Sequence, residues 1–113
     1  MPRRPHVVSS PFNLDVTRTA TDQRHPWFST YEAGFSKEGD LQALRVKTYA
    51  DGGWSLDLSP AILQRCLFHL DNSYFIPNAD FEGRIAKTNK TSNTAFRGFG
   101  GPQGMAVVEA VMN

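Results

Sequence analysis

Through the first half of the chain, apolar and polar positions alternate with the period of a β-strand that has one buried face. The inward positions of two such runs are Tyr31, Ala33 and Phe35, and then Leu44, Val46 and Thr48. The turn between them contains Gly39, which can take the positive φ that tight hairpins need. We therefore expect a β-hairpin here. A second turn at residues 51–53, followed by the alternating Trp54, Leu56 and Leu58, predicts a third short strand.

Further along, the apolar spacing changes to that of an amphipathic helix. Ser59 and Pro60 are typical of a helix cap and of a first helical turn. The apolar face that follows consists of Ile62, Leu63, Cys66, Leu67 and Leu70. Because Arg65 and Phe68 lie on the other side, we expect that side to contact something other than open water.

The rest of the chain adds an extended segment and a second helix. Residues 74–87 are predicted to be extended with a break at Pro77, and a polar loop follows at 87–93. A helix is predicted from Met105 to Met112, whereas residues 1–13, with three prolines, are predicted to be irregular. Hairpins that pack with two helices give an α+β fold.

Composition narrows the class of protein. The 113 residues have the length of one small domain, and 12 basic against 11 acidic residues give a net charge of +1. That balance does not favour a nucleic-acid or membrane partner. The one cysteine, Cys66, excludes a disulfide or an iron–sulfur cluster held within this chain, and its apolar neighbours predict a buried thiol. We expect a reducing, cytoplasmic setting.

The strongest chemical signal is the glycine-rich stretch at residues 94–105. Four glycines surround Arg97, Phe96 and Phe99, and Pro102 suits the first turn of the helix that follows. Glycines permit close approach of a ligand, the helix start favours an anion, and arginine offers a planar fork of donors. The stretch therefore predicts a site for something planar, anionic or both. The alternative is a glycine-rich turn with a surface arginine and two core phenylalanines.

This stretch resembles the arginine-bearing loop of the molybdenum hydroxylases of the xanthine dehydrogenase type. Matching motifs follow in the same order over most of the chain: Arg24–Phe28, Arg65–Tyr74, Ile76–Asn78, Gly83–Arg84 and Lys87–Asn89. The resemblance implies that residues 24–113 are part of a molybdopterin-binding domain, while residues 1–23 form an unassigned N-terminal segment. It also implies that the fold is one piece of the larger domain found in xanthine dehydrogenases and aldehyde oxidases.

The resemblance implies a role for three side chains. Arg97 corresponds to an arginine beside the molybdenum–molybdopterin cofactor, and Phe99 to a phenylalanine that stacks on the heteroaromatic substrate. Arg65 corresponds to the catalytic, substrate-binding arginine that contacts the purine oxygen, where aldehyde oxidases tend to have an apolar residue. Leu58 resembles a residue of the substrate channel. No histidine or cysteine has metal-ligand spacing, so no protein ligand to a metal is expected.

The implied reaction is hydroxylation of a purine, hypoxanthine or xanthine, with oxygen taken from water. The general-base glutamate of the family is expected outside this chain, as are FAD and iron–sulfur clusters. The partners implied are the remaining domains or subunits of the same enzyme, which we expect to form a homo-oligomer. Two alternatives stay open: a noncatalytic truncated fragment, and a segment of an aldehyde oxidase-type enzyme.

Overall fold

A computed structural model describes residues 6–14 and 24–113 of the chain. Its elements are β1 (His6–Leu14), β2 (Trp27–Phe35), β3 (Leu41–Gly53), α1 (Ser59–Phe68), β4 (Asn78–Lys87) and α2 (Gly101–Met112). The strands form one sheet in the order β1-β2-β3-β4. Both helices pack against the same face of this sheet. The predicted α+β class is confirmed.

The predicted hairpin is the antiparallel pair of β2 and β3. Gly39 lies in its turn with a φ of 93°, and the turn is closed by a hydrogen bond from the N–H of Ser36 to the carbonyl oxygen of Asp40. The inward positions are those that the alternation predicted, with Ala33, Leu44 and Val46 buried.

The third short strand predicted after residue 53 is wrong. Residues 51–53 are the end of β3, and they continue its pairing with β4. The segment that follows them forms bends and turns, and Trp54 and Leu56 are more than 60% exposed. Their alternation has no strand partner on this side of the sheet, so the pattern alone gave the wrong element.

Strand β4 runs parallel to β3, and α1 makes the crossover between them. Two parallel strands need a crossover connection, because a tight turn would bring the second strand back in the antiparallel direction. Strand β1 pairs antiparallel with β2, so the prediction of an irregular start is wrong for residues 6–13. Pro11 fits there because β1 is an edge strand, where a missing N–H is tolerated. Residues 1–5 of that prediction lie outside the described residues.

The core consists of two clusters under the helices. Under α2, Val107 and Val108 meet Leu44 and Val46 of β3, together with Leu70. Under α1, Ile62 and Cys66 meet Trp27 and Ala50. The apolar face predicted for α1 is therefore confirmed. Cys66 is also buried as predicted, and this burial raises the pKa of its thiol to about 12.

The helix ends differ from the prediction. Ser59 makes no side-chain cap bond, because its hydroxyl is bonded to His25 instead, and Leu58 holds the N-cap position. Helix α2 begins at Gly101, four residues earlier than predicted, with Pro102 in its first turn. It crosses α1 at Gly104, where a Cβ would overlap the carbonyl oxygen of Cys66. The two helices thus approach to backbone contact.

Candidate functional site

The glycine-rich loop contains three successive residues with left-handed backbone, just before α2. Gly98, Phe99 and Gly100 have φ values of 95°, 53° and 93°. A bulky residue rarely adopts this conformation, and the cost is about 1–3 kcal/mol. The turn is held by hydrogen bonds from the N–H of Phe99 to the oxygen of Phe96 (2.9 Å) and from the N–H of Gly101 to the oxygen of Gly98 (3.0 Å).

Gly100 places this turn against α1. A Cβ at Gly100 would overlap the carbonyl oxygen of Ile62, so another residue would push the loop off the helix. Gly98 lies similarly close to the ring of Pro102, which a Cβ there would overlap. Gly100 therefore lets the loop sit directly on α1, the helix that carries Arg65, and Gly98 lets it fold against the first turn of α2.

The polar segment before the loop is anchored to the end of β3. The carboxylate of Asp51 accepts hydrogen bonds from the Thr88 hydroxyl (2.7 Å) and the Gly53 N–H (3.0 Å). The Asn93 amide donates to the backbone oxygen of Asp51 at 2.8 Å. The hydroxyl of the buried Ser92 donates to Ser55 Oγ at 2.9 Å. The chain consequently reaches residue 94 from a fixed position.

Two of the predicted site residues meet in the structure although 34 positions separate them. The guanidinium carbon of Arg65 lies 5.5 Å from the centroid of the Phe99 ring, a cation–π contact. Phe99 is half-buried and packs against the cluster under α1, whereas Arg65 is exposed. The ring is thereby fixed on one side by the core, and the arginine stands at its open side.

Arg97, the third predicted residue, lies two residues before Phe99 and is exposed. Its side chain makes no ion pair with any residue in the described part of the chain. Its backbone oxygen accepts a hydrogen bond of 2.8 Å from Arg24, whose guanidinium also lies 4.8 Å from the centroid of Phe96. No sequence motif predicts this contact, because Arg24 and Arg97 are 73 positions apart.

The start of α2 offers fewer free donors than the sequence suggested. The N–H of Gly101 is bonded within the turn, and Pro102 has none. Within residues 24–113, the backbone N–H of Gln103 donates to no backbone oxygen of this turn. The Gln103 side chain is buried, and its Oε1 has no hydrogen-bond partner among the described residues. Gln103 is therefore a further polar group at the site that sequence reasoning missed.

A buried, hydrogen-bonded pair of side chains anchors the start of α1. His25 and Ser59 share a hydrogen bond of 2.6 Å between Nε2 and Oγ, and both side chains are almost fully buried. Burial lowers the pKa of His25, against the opposing influence of Asp51 and Asp57. The imidazole is therefore neutral at pH 7, and the pair fixes α1 without a charge.

The remaining candidates lie outside this arrangement. Leu58 is 46% exposed just before α1, so it is a surface residue and not part of the core. Phe68 is 80% exposed, so on the outer side of α1 the expected contact is made by Arg65 with Phe99 and not by Phe68. Within residues 6–14 and 24–113, no cluster of three or more histidine, cysteine or acidic side chains could hold a metal, and no helix is long and apolar enough to cross a membrane.

Comparison with known proteins places this fold and loop in one class. Residues 7–113 match the molybdopterin cofactor-binding domain family. The chain belongs to this family. The match begins inside β1, in the segment that the sequence left unassigned.

The relatives are mostly xanthine dehydrogenases. The chain is 55% identical to xanthine dehydrogenase/oxidase of Felis catus over 88% of its length, and 47% identical to xanthine dehydrogenase of Emericella nidulans over 98%. Nicotinate hydroxylase hnxS of the same fungus is 44% identical over 98% of the chain. The chain spans 7–8% of the length of these relatives. Among solved structures, the aldehyde oxidoreductase of Desulfovibrio gigas matches 77% of the chain and 10% of its own, at 31% identity and a TM-score of 0.69.

Proposed function

We propose that this chain contributes the cofactor loop and part of the substrate wall to a purine hydroxylase of the xanthine dehydrogenase type. The observation that carries the proposal is the contact of Arg65 with Phe99, at 5.5 Å, beside the loop that bears Arg97. In this proposal residues 24–113 act as part of a molybdopterin-binding domain. The other domains or subunits, with FAD and iron–sulfur clusters, complete a cytoplasmic homo-oligomer.

The loop fits a molybdopterin cofactor by the chemistry of its donors. The guanidinium of Arg97 makes no ion pair within the part of the chain that the structure describes, and it is a group suited to phosphate and to delocalised oxygens. Gln103 adds a buried amide with an unpartnered oxygen, as a pterin rich in donors and acceptors would need. When bound, the molybdenum cofactor supplies the two-electron chemistry by which oxygen from water enters the substrate. This chain's residues would hold that group through Arg97 and the backbone of the glycine turn.

The substrate wall follows from the pair beside the loop. A planar purine can stack on the Phe99 ring, which the core holds in one orientation, if the Arg65 guanidinium moves from over that ring to its edge. From the edge, the N–H groups of Arg65 can donate to an oxygen that becomes negative during attack. The pair would thus position the purine and stabilise its developing charge.

An aldehyde-oxidising enzyme is the second candidate, favoured by the 31% identity to an aldehyde oxidoreductase. An aldehyde has no ring oxygen for Arg65 to stabilise. The two candidates therefore differ in how much they need this arginine, and a substitution there separates them.

The test uses the full-length protein that contains this chain, as wild type, Arg65→Met and Arg97→Ala. We measure molybdenum content and kcat/KM for xanthine and for an aromatic aldehyde. In Arg65→Met, xanthine should lose up to about 10⁴-fold, because a site built for a hydrogen bond is left unpaired, while the aldehyde loses little. Arg97→Ala should lower molybdenum content and both activities together, through a charge-assisted contact worth about 1.5–3 kcal/mol.

Arg84→Gln serves as the control, because Arg84 is exposed on β4 and paired with Glu82 at 2.9 Å. It should keep the wild-type ratio of the two activities. Equal losses for xanthine and the aldehyde in Arg65→Met would reject the purine assignment. Wild-type molybdenum and turnover in Arg97→Ala would reject the role of the loop.

A further inference from the structure

Arg24 makes two contacts with the loop and comes from a distant part of the chain. Its guanidinium donates to the backbone oxygen of Arg97 at 2.8 Å and lies 4.8 Å from the centroid of the Phe96 ring. The other hydrogen bonds of the turn are local, from Phe99 to Phe96 and from Gly101 to Gly98. Among the described hydrogen bonds, the one from Arg24 is therefore what ties the Arg97 backbone to the body of the domain.

The base from which Arg24 reaches the loop is rigid. The next three residues, 25–27, are all buried. His25 is bonded to Ser59 at the start of α1, and Trp27 lies in the cluster under that helix. Because Arg24 is half-buried and directly precedes them, its backbone is anchored to α1 through these buried residues.

Two arginines from separate elements thus hold the loop at two rings. Arg24 contacts Phe96, the residue before Arg97, and Arg65 contacts Phe99, two residues after it. Both rings are therefore held against the domain, one on either side of Arg97 along the chain.

We infer that Arg24 is a positioning residue for the cofactor loop, one that acts through Phe96 and the backbone of Arg97. This inference rests on the proposed function of the loop, and it adds a residue outside the glycine-rich stretch. Arg24 holds the loop so that the Arg97 side chain and the Phe99 ring keep their places when the ligand is absent. The ligand then meets a preformed site and does not have to order the loop.

The test is hydrogen exchange of the full-length protein, followed by mass spectrometry of peptides that cover residues 94–100. The variants are Arg24→Gln, which removes the charge, Arg24→Lys, which keeps it, and Phe96→Leu, which removes the ring. Arg84→Gln is the matched control, as an exposed arginine of the same sheet. Molybdenum content is measured in every sample.

In Arg24→Gln, amides of residues 94–100 should exchange about tenfold faster or more, since both a charged hydrogen bond and a cation–π contact are lost. Peptides of β2 and α1 should exchange as in wild type, and molybdenum content should fall. The exchange rate of Arg24→Lys at residues 94–100 should lie between those of wild type and Arg24→Gln. The exchange rate of Arg84→Gln should equal that of wild type. In a variant that carries both Arg24→Gln and Phe96→Leu, the increases in exchange rate should not add, because one contact joins the two residues.

Unchanged exchange at residues 94–100 overturns the inference, and so does equal loosening of β2 and α1, which would make Arg24 a general stabiliser of the fold. Local loosening with wild-type molybdenum content also overturns it. The proposed function fails on a different result, the absence of molybdenum from the wild-type protein. In that case the exchange data still decide whether Arg24 holds the loop.

Discussion

At the scale of single residues, Phe99 shows how the site uses strain. Its φ of 53° costs about 1–3 kcal/mol, and the two glycines on either side share the left-handed backbone. The cost is offset because the ring packs on the cluster under α1 and receives the guanidinium of Arg65. A relaxed backbone at this position would turn the ring away from both.

His25 gives a residue-scale prediction about pH. Because its folded pKa is lowered, the unfolded chain binds more protons below pH 6.5, so the free energy of unfolding falls as the pH drops through that value. Each unit of lowered pKa is worth about 1.4 kcal/mol. We expect the protein to lose stability between pH 7.5 and pH 5, as measured by denaturant unfolding.

The variant His25→Gln provides the comparison. It should be less stable than wild type at pH 7.5, since the bond to Ser59 is disturbed, yet its stability should change less between the two pH values. The same pH dependence in both proteins would mean that other groups, and not His25, account for the loss.

The three candidate site residues could be proposed from the sequence because they lie in or near recognisable motifs. Arg97 and Phe99 belong to one glycine-rich stretch, and Arg65 is at a marked helix position. Arg24 and Gln103 were missed for a physical reason: the contact of Arg24 with the loop and the burial of Gln103 exist only after folding. No spacing along the chain encodes a hydrogen bond between residues 24 and 97.

At the scale of elements, the crossing of α1 and α2 sets the position of the loop. Gly104 lets the two helices touch, and Gly100 lets the turn before α2 touch α1 as well. The loop, the start of α2 and Arg65 are therefore placed by one helix. A change that separates the helices should disturb both fold and site.

We predict that Gly104→Ala destabilises the protein by about 1–3 kcal/mol, because its Cβ would overlap the carbonyl oxygen of Cys66. Gly101→Ala is the control in the same helix, since a Cβ there meets His69 at an ordinary 3.5 Å. That variant should be neutral or up to about 1 kcal/mol more stable, because alanine is the better helix former. Thermal or denaturant unfolding measures both, and equal effects would contradict the close crossing.

The elements were predicted best where their partners were local. The β2–β3 hairpin needs one turn and one period, so its residues predicted it correctly. The end of β3 pairs with β4, across the whole of α1, and the short-strand prediction for Trp54–Leu58 failed because that pairing is not local. The cap at Ser59 failed for the same reason, since His25 takes its hydroxyl.

At the scale of the whole molecule, the described residues supply one side of a site. Residues 94–105 bring Arg97 to the surface above the buried Gln103, and the chain covers 7–8% of the relatives that it matches. A cofactor held by so few groups dissociates readily, because water replaces its contacts with the protein. Affinity in such sites depends on enclosure by several loops.

We therefore predict that the 113-residue chain, produced alone in a host that makes the cofactor, retains far less than one molybdenum per chain. Plasma mass spectrometry of the purified chain measures this, with the full-length protein from the same host as the control. Molybdenum near one atom per chain would show that the glycine turn and Arg97 suffice for binding.

Helix α1 has a consequence for protein engineering. Its inner side is committed to the cluster under it, to Gly100 and to Gly104, whereas its outer side carries Gln64, Arg65 and Phe68 in exposed positions. Apart from Arg65, whose guanidinium contacts the Phe99 ring of the loop, the outer side can be exchanged as a cassette between relatives without moving the loop. A designer who wants a new substrate should therefore randomise Gln64 and Phe68 first, and variants that fail there should still fold and load like the parent.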